Sequence, residues 1–328
     1  MGRDSKIEWC HHTFNAWRGC TKVSEACRNC YAEVNMSVKL HGITWGPNGK
    51  RVVKAESGWN DPLRWNQEAM KVGERHRVFC NSLADVIEGP ETMPADSLLP
   101  VRRARWRLLD LIHKTPWLDW LLLTKRPWNV AEEICQSART VPGDDASQDE
   151  LIFWATDWAI GKAVPDNVWI GTSVEDQKAA DLRIPQLLAA PAKVRFLSCE
   201  PLLQRIKLPE AFLVPDFADD DPRCTKRWVI CGGESGPHAR PMHPDWVRSL
   251  REQCLDFDVP FHFKQWGEWQ PTKYETGPLP PILTQGHSPT GHDWGDGVAS
   301  YRVGKHKAGR SLDGRTWDEL PKLAGAQS

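Results

Sequence analysis

Six short apolar runs recur along this 328-residue chain, and each gives way at once to small polar or charged residues. Arg77-Val78-Phe79-Cys80 leads into Asn81, Ser82 and Asp85, and Trp120-Leu121-Leu122-Leu123 into Thr124-Lys125-Arg126-Pro127. Val168-Trp169-Ile170-Gly171 precedes Thr172, Ser173, Glu175 and Asp176, while Val194-Arg195-Phe196-Leu197 precedes Ser198-Cys199-Glu200-Pro201. Trp228-Val229-Ile230-Cys231 opens onto Gly232-Gly233-Glu234, and Pro260-Phe261-His262-Phe263 onto Lys264-Gln265-Trp266-Gly267. Near-continuous apolar tetrapeptides are what strands covered on both faces require. Many of the gaps leave room for a crossover helix, as parallel connections need, and Asn60 to Ala69 and Leu108 to His113 read as helical. The expected class is α/β: a complete or partial parallel β/α barrel of about six strands, or a doubly wound sheet. Either fold gathers the residues that follow each strand at the carboxyl edge, where such folds place their sites. A further first strand is expected near Phe14–Arg18.

The second constraint is Gly19-Cys20 through Cys30-Tyr31, where three cysteines spaced C-x6-C-x2-C fall within eleven residues. A helix-like segment, Tyr31 to Met36, follows at once. Three thiolates are one short of a closed tetrahedral zinc site. They suit a 4Fe-4S cube with one open iron, a zinc site completed by His11, His12 or another residue, or buried thiols without metal. Spacing alone leaves these readings open.

Composition narrows the class. The formal net charge of -1 supplies no global basic field for nucleic acid. There is no apolar run of about eighteen residues and no signal-peptide core at the N-terminus, so a soluble cytoplasmic protein with no membrane partner is expected. Ten cysteines without a secretory signal argue against a disulfide framework. Most of the 18 tryptophans are expected in packing, with some free to line a pocket for a flat ligand. Residues 41–60 and 138–167 read as irregular, and Asp216, Asp219, Asp220 and Asp221 as a solvated loop. Beyond about residue 271 the chain turns rich in Pro and Gly. The expected division is a barrel over 1–271, including the cysteine loop, and a wrapping extension over 272–328.

The segment Ile7-Glu8-Trp9 through Cys30-Tyr31 resembles the phage- and prophage-associated branch of the radical SAM superfamily. Val78 to Ser82, Phe263 to Gly267 and Gly309 to Gly314 resemble the same branch, so the likeness covers nearly the whole chain. Here the first gap holds six residues rather than the usual three, and Asn29 stands where an aromatic commonly precedes the third cysteine. The resemblance implies a partial barrel with a 4Fe-4S cluster on Cys20, Cys27 and Cys30 and S-adenosylmethionine (SAM) on the fourth iron. It implies an electron donor such as flavodoxin or ferredoxin, and hydrogen abstraction by a 5′-deoxyadenosyl radical. The phage setting brings in modified DNA or a nucleotide as substrate, and an isomerase that rearranges an amino-acid adduct on a thymine-derived base. Its rivals are a DNA repair lyase, another nucleotide- or peptide-modifying radical enzyme, a zinc-stabilised nucleic-acid-binding protein and a structural phage protein.

The strand-end residues then take expected roles. Asn81, Ser82, Thr172, Ser173, Glu175, Ser198 and Glu200 are candidates for the hydroxyls and amino group of a cofactor; capped helix starts account for several of the same letters. Gly232 and Gly233 let backbone amides approach a ligand while Glu234 accepts from an amine. That turn resembles the superfamily's glycine-rich segment, although it lies near the sixth strand rather than after the second. Lys125, Arg126 and Arg240 are candidates for a substrate carboxylate or phosphate. Lys264, Gln265 and Trp266 are expected to close the substrate side. Cys199 is the candidate catalytic thiol for radical quenching, with an inert buried thiol as the alternative.

Overall fold

A computed structural model describes residues 5, 7–34, 43–140, 148–215, 225–273 and 290–322. Its strands run β1 (His12–Phe14), β2 (Trp17–Arg18), β3 (Val52–Val53), β4 (His76–Cys80), β5 (Leu118–Thr124), β6 (Val168–Ser173), β7 (Val194–Cys199), β8 (Lys226–Gly232) and β9 (Phe261–Gln265). Seven of them form one parallel sheet in the order β1-β4-β5-β6-β7-β8-β9. Each strand of this sheet lies beside its successor in the chain. A doubly wound sheet would reverse its order part-way; this one winds in a single direction and curls into a partly open half-barrel flanked by helices. All six apolar runs are strands.

The expected first strand divides in two. His12–Phe14 joins the sheet beside Val78–Cys80, whereas Trp17–Arg18 pairs antiparallel with Val52–Val53. Asn81 explains the break. Its backbone N–H donates to Phe14 O at 2.7 Å, and its Oδ1 accepts from Ala16 N at 2.8 Å, turning the chain out of the sheet. Residues 148–167 are also more regular than expected, whereas residues 141–147 lie outside the described residues. Leu151, Ala155 and Trp158 recur on one face and bury the helix Asp149–Ala159. Residues 43–60 hold the short strand β3 and a 3-10 turn at Glu56–Gly58. Residues 216–221, with the four aspartates, lie outside the described residues.

Side chains alternate across the sheet. Phe79, Leu121, Trp169, Phe196, Trp228 and Ile230 fill the concave face, with Trp9 packed on Phe79 at a ring separation of 4.7 Å. Val78, Trp120, Leu122, Ile170 and Val229 face outward into the larger core with the helices. Gly171 makes room inside: a Cβ there would fall 2.3 Å from the Phe196 ring.

Beyond β9, β10 (Trp269–Lys273), β11 (Gly291–Asp293) and β12 (Val298–Arg302) form a small antiparallel sheet. The chain then returns along the exposed edge of the half-barrel. Phe263 N donates to Trp317 O at 2.9 Å, Phe261 N to Glu319 Oε2 at 3.0 Å and Trp266 N to Gly309 O at 3.1 Å. These contacts satisfy edge-strand donors that would otherwise invite pairing with another chain. Among the described residues, no helix is long and apolar enough to cross a membrane.

Candidate active site

At the carboxyl edge of the half-barrel lies a cavity of about 430 Å³. Residues that end or follow β4 to β9 form one side of it, and the cysteine loop forms the other. Cys20, Cys27 and Cys30 all stand on its wall, as free thiols. Trp9, Phe79 and Leu123 contribute apolar surface, continuous with the concave core.

The loop has little regular structure of its own, only a 3-10 turn at Glu25–Cys27 and a helix opening at Tyr31. Its shape comes from anchors at both ends. At the Cys20 end, Gly19 N donates to Leu83 O at 3.1 Å, and Thr21 N to Glu88 Oε1 at 3.2 Å. Arg126 Nη2 donates to Thr21 O at 3.0 Å, and Arg51 Nη2 to Thr21 Oγ1 at 2.7 Å. At the Cys30 end, Asn29 Nδ2 reaches Glu234 Oε2 at 3.0 Å and His238 O at 2.7 Å, while Arg240 Nη2 donates to Glu25 O at 3.0 Å.

The thiols differ electrostatically. Burial pushes Cys20 up to about 12, and the nearby carboxylates of Glu88 and Asp85 push the same way. Burial also works against Cys27 ionisation, but the Lys125 ammonium and hydrogen bonds from the Val23 and Ser24 backbone outweigh it and hold that thiol below its ordinary value.

A family described as "Protein of unknown function (DUF5131)" matches residues 4–321. The chain belongs to the DUF5131 family. No curated protein and no solved structure matches it.

The DUF5131 cavity brings together most of the residues singled out from the sequence. Asn81, Ser82, Lys125, Arg126, Ser173, Ser198, Glu200, Gly233, Glu234, Lys264 and Gln265 line it with the cysteines. Six others do not reach its wall. Cys199 is fully buried in the outer core, where burial pushes its thiol far up, so it lacks the access a quenching thiol needs. Thr172 ties β6 to β5 by donating to Thr124 O at 2.8 Å. Glu175 is buried against Arg183 at 2.8 Å. Trp266 packs its ring on Phe263 and donates its indole N–H to Ser311 O at 2.8 Å. Gly232 passes beside the Glu200 side chain, and Arg240 stands behind Glu234.

Several residues on the wall are already engaged. Arg126 is buried in ion pairs with Asp85 at 2.7 Å and Glu88 at 3.5 Å. Burial alone would raise Asp85, but Arg126, the Thr124 hydroxyl and the Lys125 and Ile87 amides keep its carboxyl below the usual range. Glu234 accepts from Arg240 Nη2 at 2.6 Å and Nε at 2.9 Å, so both its oxygens are taken by protein. Lys264 Nζ donates to Glu200 at 2.7 and 2.9 Å. Arg126, Glu234 and Arg240 therefore position the cysteine loop. The sequence reading missed Asn29, Thr21, Arg51 and Glu88; only Asn29 carried a signal, a polar side chain inside the cysteine motif.

Gly233 is the tight point of the glycine turn. A Cβ there would meet the Trp266 carbonyl oxygen at 2.0 Å, so only glycine lets the β8 and β9 ends approach this closely. Asn81 adopts φ 54°, a left-handed conformation that asparagine tolerates.

His243, Asp245 and Asp296 form the one described group of ligand atoms within 4.8 Å of one another. Its hydrogen bonds argue against a metal. Asp245 N donates to His243 Nδ1 at 3.1 Å, which puts the ring proton on Nε2, facing Asp296 Oδ2 at 3.0 Å. Both nitrogens are thus committed, and the group serves as the cap of the helix Pro244–Asp256.

Proposed function

We propose that this protein is a radical SAM enzyme in which Cys20, Cys27 and Cys30 hold a 4Fe-4S cluster at the mouth of the half-barrel. The observation that carries the reading is that all three cysteines line the same cavity as the polar ends of the parallel strands. Three thiolates suit a cube with one iron left for a substrate or cofactor. A single zinc ion would draw its ligand atoms close together; among the described residues the group whose ligand atoms lie within 4.8 Å of one another is His243, Asp245 and Asp296, not the three cysteines. Buried polar atoms on the wall, among them Asn81 Nδ2, Trp9 Nε1 and Gln265 Oε1, lack a hydrogen-bond partner, as befits a cavity that receives a polar ligand.

When bound, a reduced cluster with SAM supplies one-electron cleavage leading to hydrogen abstraction from a substrate. The chain's own residues do the rest. Trp9, Phe79 and Leu123 exclude water from the inner wall, and the Asn29 and Arg126 anchors hold the thiols in place. Glu200, Ser235 and Gln265 group acceptors at the β7 to β9 ends. Within the radical class, the reaction favoured by the resemblance is rearrangement of an amino-acid adduct on a thymine-derived base, with electrons from a flavodoxin or ferredoxin.

The test is anaerobic reconstitution with iron and sulfide, followed by reduction in the presence of SAM. Iron, acid-labile sulfide and 5′-deoxyadenosine are expected, and replacing any of Cys20, Cys27 or Cys30 by alanine should abolish most of each. Stoichiometric zinc with no sulfide and no SAM cleavage would replace this reading with a zinc-binding one.

A further inference from the structure

Charge pairing around the cavity is complete on the acidic side and incomplete on the basic side. The lining carboxylates are Asp85, Glu200 and Glu234. Each lies against a cation: Arg126 at 2.7 Å, Lys264 at 2.7 Å and Arg240 at 2.6 Å. Lys22 on the rim pairs with Glu33 at 2.6 Å. Among the described residues, Lys125 and Lys305 on the lining have no carboxylate within 4.0 Å. Lys305 is exposed at the mouth, where water solvates it. Lys125 is half-buried, and its Nζ donates to Ser173 Oγ at 3.0 Å. An ammonium carries three donors, so this one has capacity left for a ligand.

The neighbouring atoms favour the same kind of ligand. Asn81, Lys125 and Ser173 end or follow the adjacent strands β4, β5 and β6. Asn81 is buried on the lining, and its Nδ2 donor has no protein partner. The Trp9 indole N–H, also on the lining, has none either. Unused donors beside an ammonium that has no carboxylate partner, and whose charge is felt by the Cys27 thiol, call for an anionic acceptor.

We propose that the cavity seats the carboxylate or phosphate of its ligand on Lys125, with Ser173 orienting the ammonium. The proposal rests on the reading above only in taking this cavity as the functional site, and it can be tested without a cluster. The full chain, kept reduced and free of iron, is titrated with two matched pairs while tryptophan fluorescence and heat are followed. One pair is SAM and decarboxylated SAM; the other is a deoxynucleoside 5′-monophosphate and its nucleoside. The anionic member of at least one pair should bind about ten- to a hundredfold more tightly. Whichever pair shows the preference identifies the source of the anion. Lys125→Gln should remove the preference, Lys125→Arg should keep most of it, and Lys22→Gln should leave it intact. If Lys125→Gln does not fold, Ser173→Ala should reduce the preference severalfold. Equal binding within both pairs, or a preference that survives in Lys125→Gln (or undiminished in Ser173→Ala), overturns the proposal. Failure of the radical reading looks different: no iron-sulfide cluster and no SAM cleavage, whatever the anion preference.

Discussion

Asn29 Nδ2 donates to Glu234 Oε2 at 3.0 Å, joining the cysteine loop to the end of β8 across 205 positions of sequence. The same carboxylate is held from behind by Arg240, which also reaches Glu25 O in the loop. A segment with one short turn of its own thus takes its shape from a carboxylate far along the chain. Two residues that read as ligand contacts in the sequence, Glu234 and Arg240, are bonded to each other and to the loop here.

Loosening this clamp should expose the thiols. In the iron-free protein, Asn29→Ala should raise the reaction rate of Cys27 and Cys30 with a thiol reagent about tenfold, the effect of losing roughly 1–1.5 kcal/mol of hydrogen bonding. Glu234→Gln should do more, because its amide N–H₂ would face the Arg240 donors. Rates equal to wild type in both variants would mean that the loop is held elsewhere.

The anchor at the other end should matter for global stability. Arg126→Met leaves Asp85 and Glu88 with one cation fewer in a buried site. Removing one partner of such a pair costs about 3–5 kcal/mol. Urea unfolding should show that loss as a lower midpoint, and a shift below 1 kcal/mol would show that water or rearrangement compensates the carboxylates.

Inside the half-barrel, Gly171→Ala should destabilise by about 1–3 kcal/mol through overpacking against Phe196. The double variant Gly171→Ala with Phe196→Leu should recover part of the loss, since the shorter side chain vacates the space of the new methyl. Simple additivity of the two single costs would place the strain elsewhere.

His262 predicts a pH dependence. Burial lowers it to about 4, Arg310 and Lys264 acting in the same direction while Asp318 opposes them. The unfolded side chain titrates near 6.5. Between these values the unfolded chain binds a proton that the folded one does not, so stability falls as pH drops from about 6.5 to 4. The slope approaches about 1.4 kcal/mol per pH unit for this one group. His11, also lowered to about 4 chiefly by burial, adds in the same sense. Urea midpoints at pH 7, 5.5 and 4.5 should show the decline, and His262→Phe should flatten it; an unchanged pH profile in that variant would acquit His262.

The sequence by itself determined the α/β class of the fold and which residues meet at the carboxyl edge of its sheet. Strands covered on both faces demand near-continuous apolar runs, so Val78-Phe79-Cys80 and its five counterparts were legible. The residues that follow parallel strands share one edge, so Ser173, Glu200 and Lys264 could be gathered there without coordinates. Tertiary structure decided what local letters do not encode. Only strand order separates a curled, singly wound sheet from a doubly wound one, and only Asn81 shows why the first strand stops at Phe14. Most of all, the sequence could not say which charges are spent. Arg126, Arg240, Lys264 and Lys125 look alike as letters. Their partners are Asp85, Glu234, Glu200 and, for Lys125, a serine hydroxyl. Ion pairing depends on distances of a few ångströms between residues brought together by the winding of the sheet, and no spacing in the sequence sets those distances.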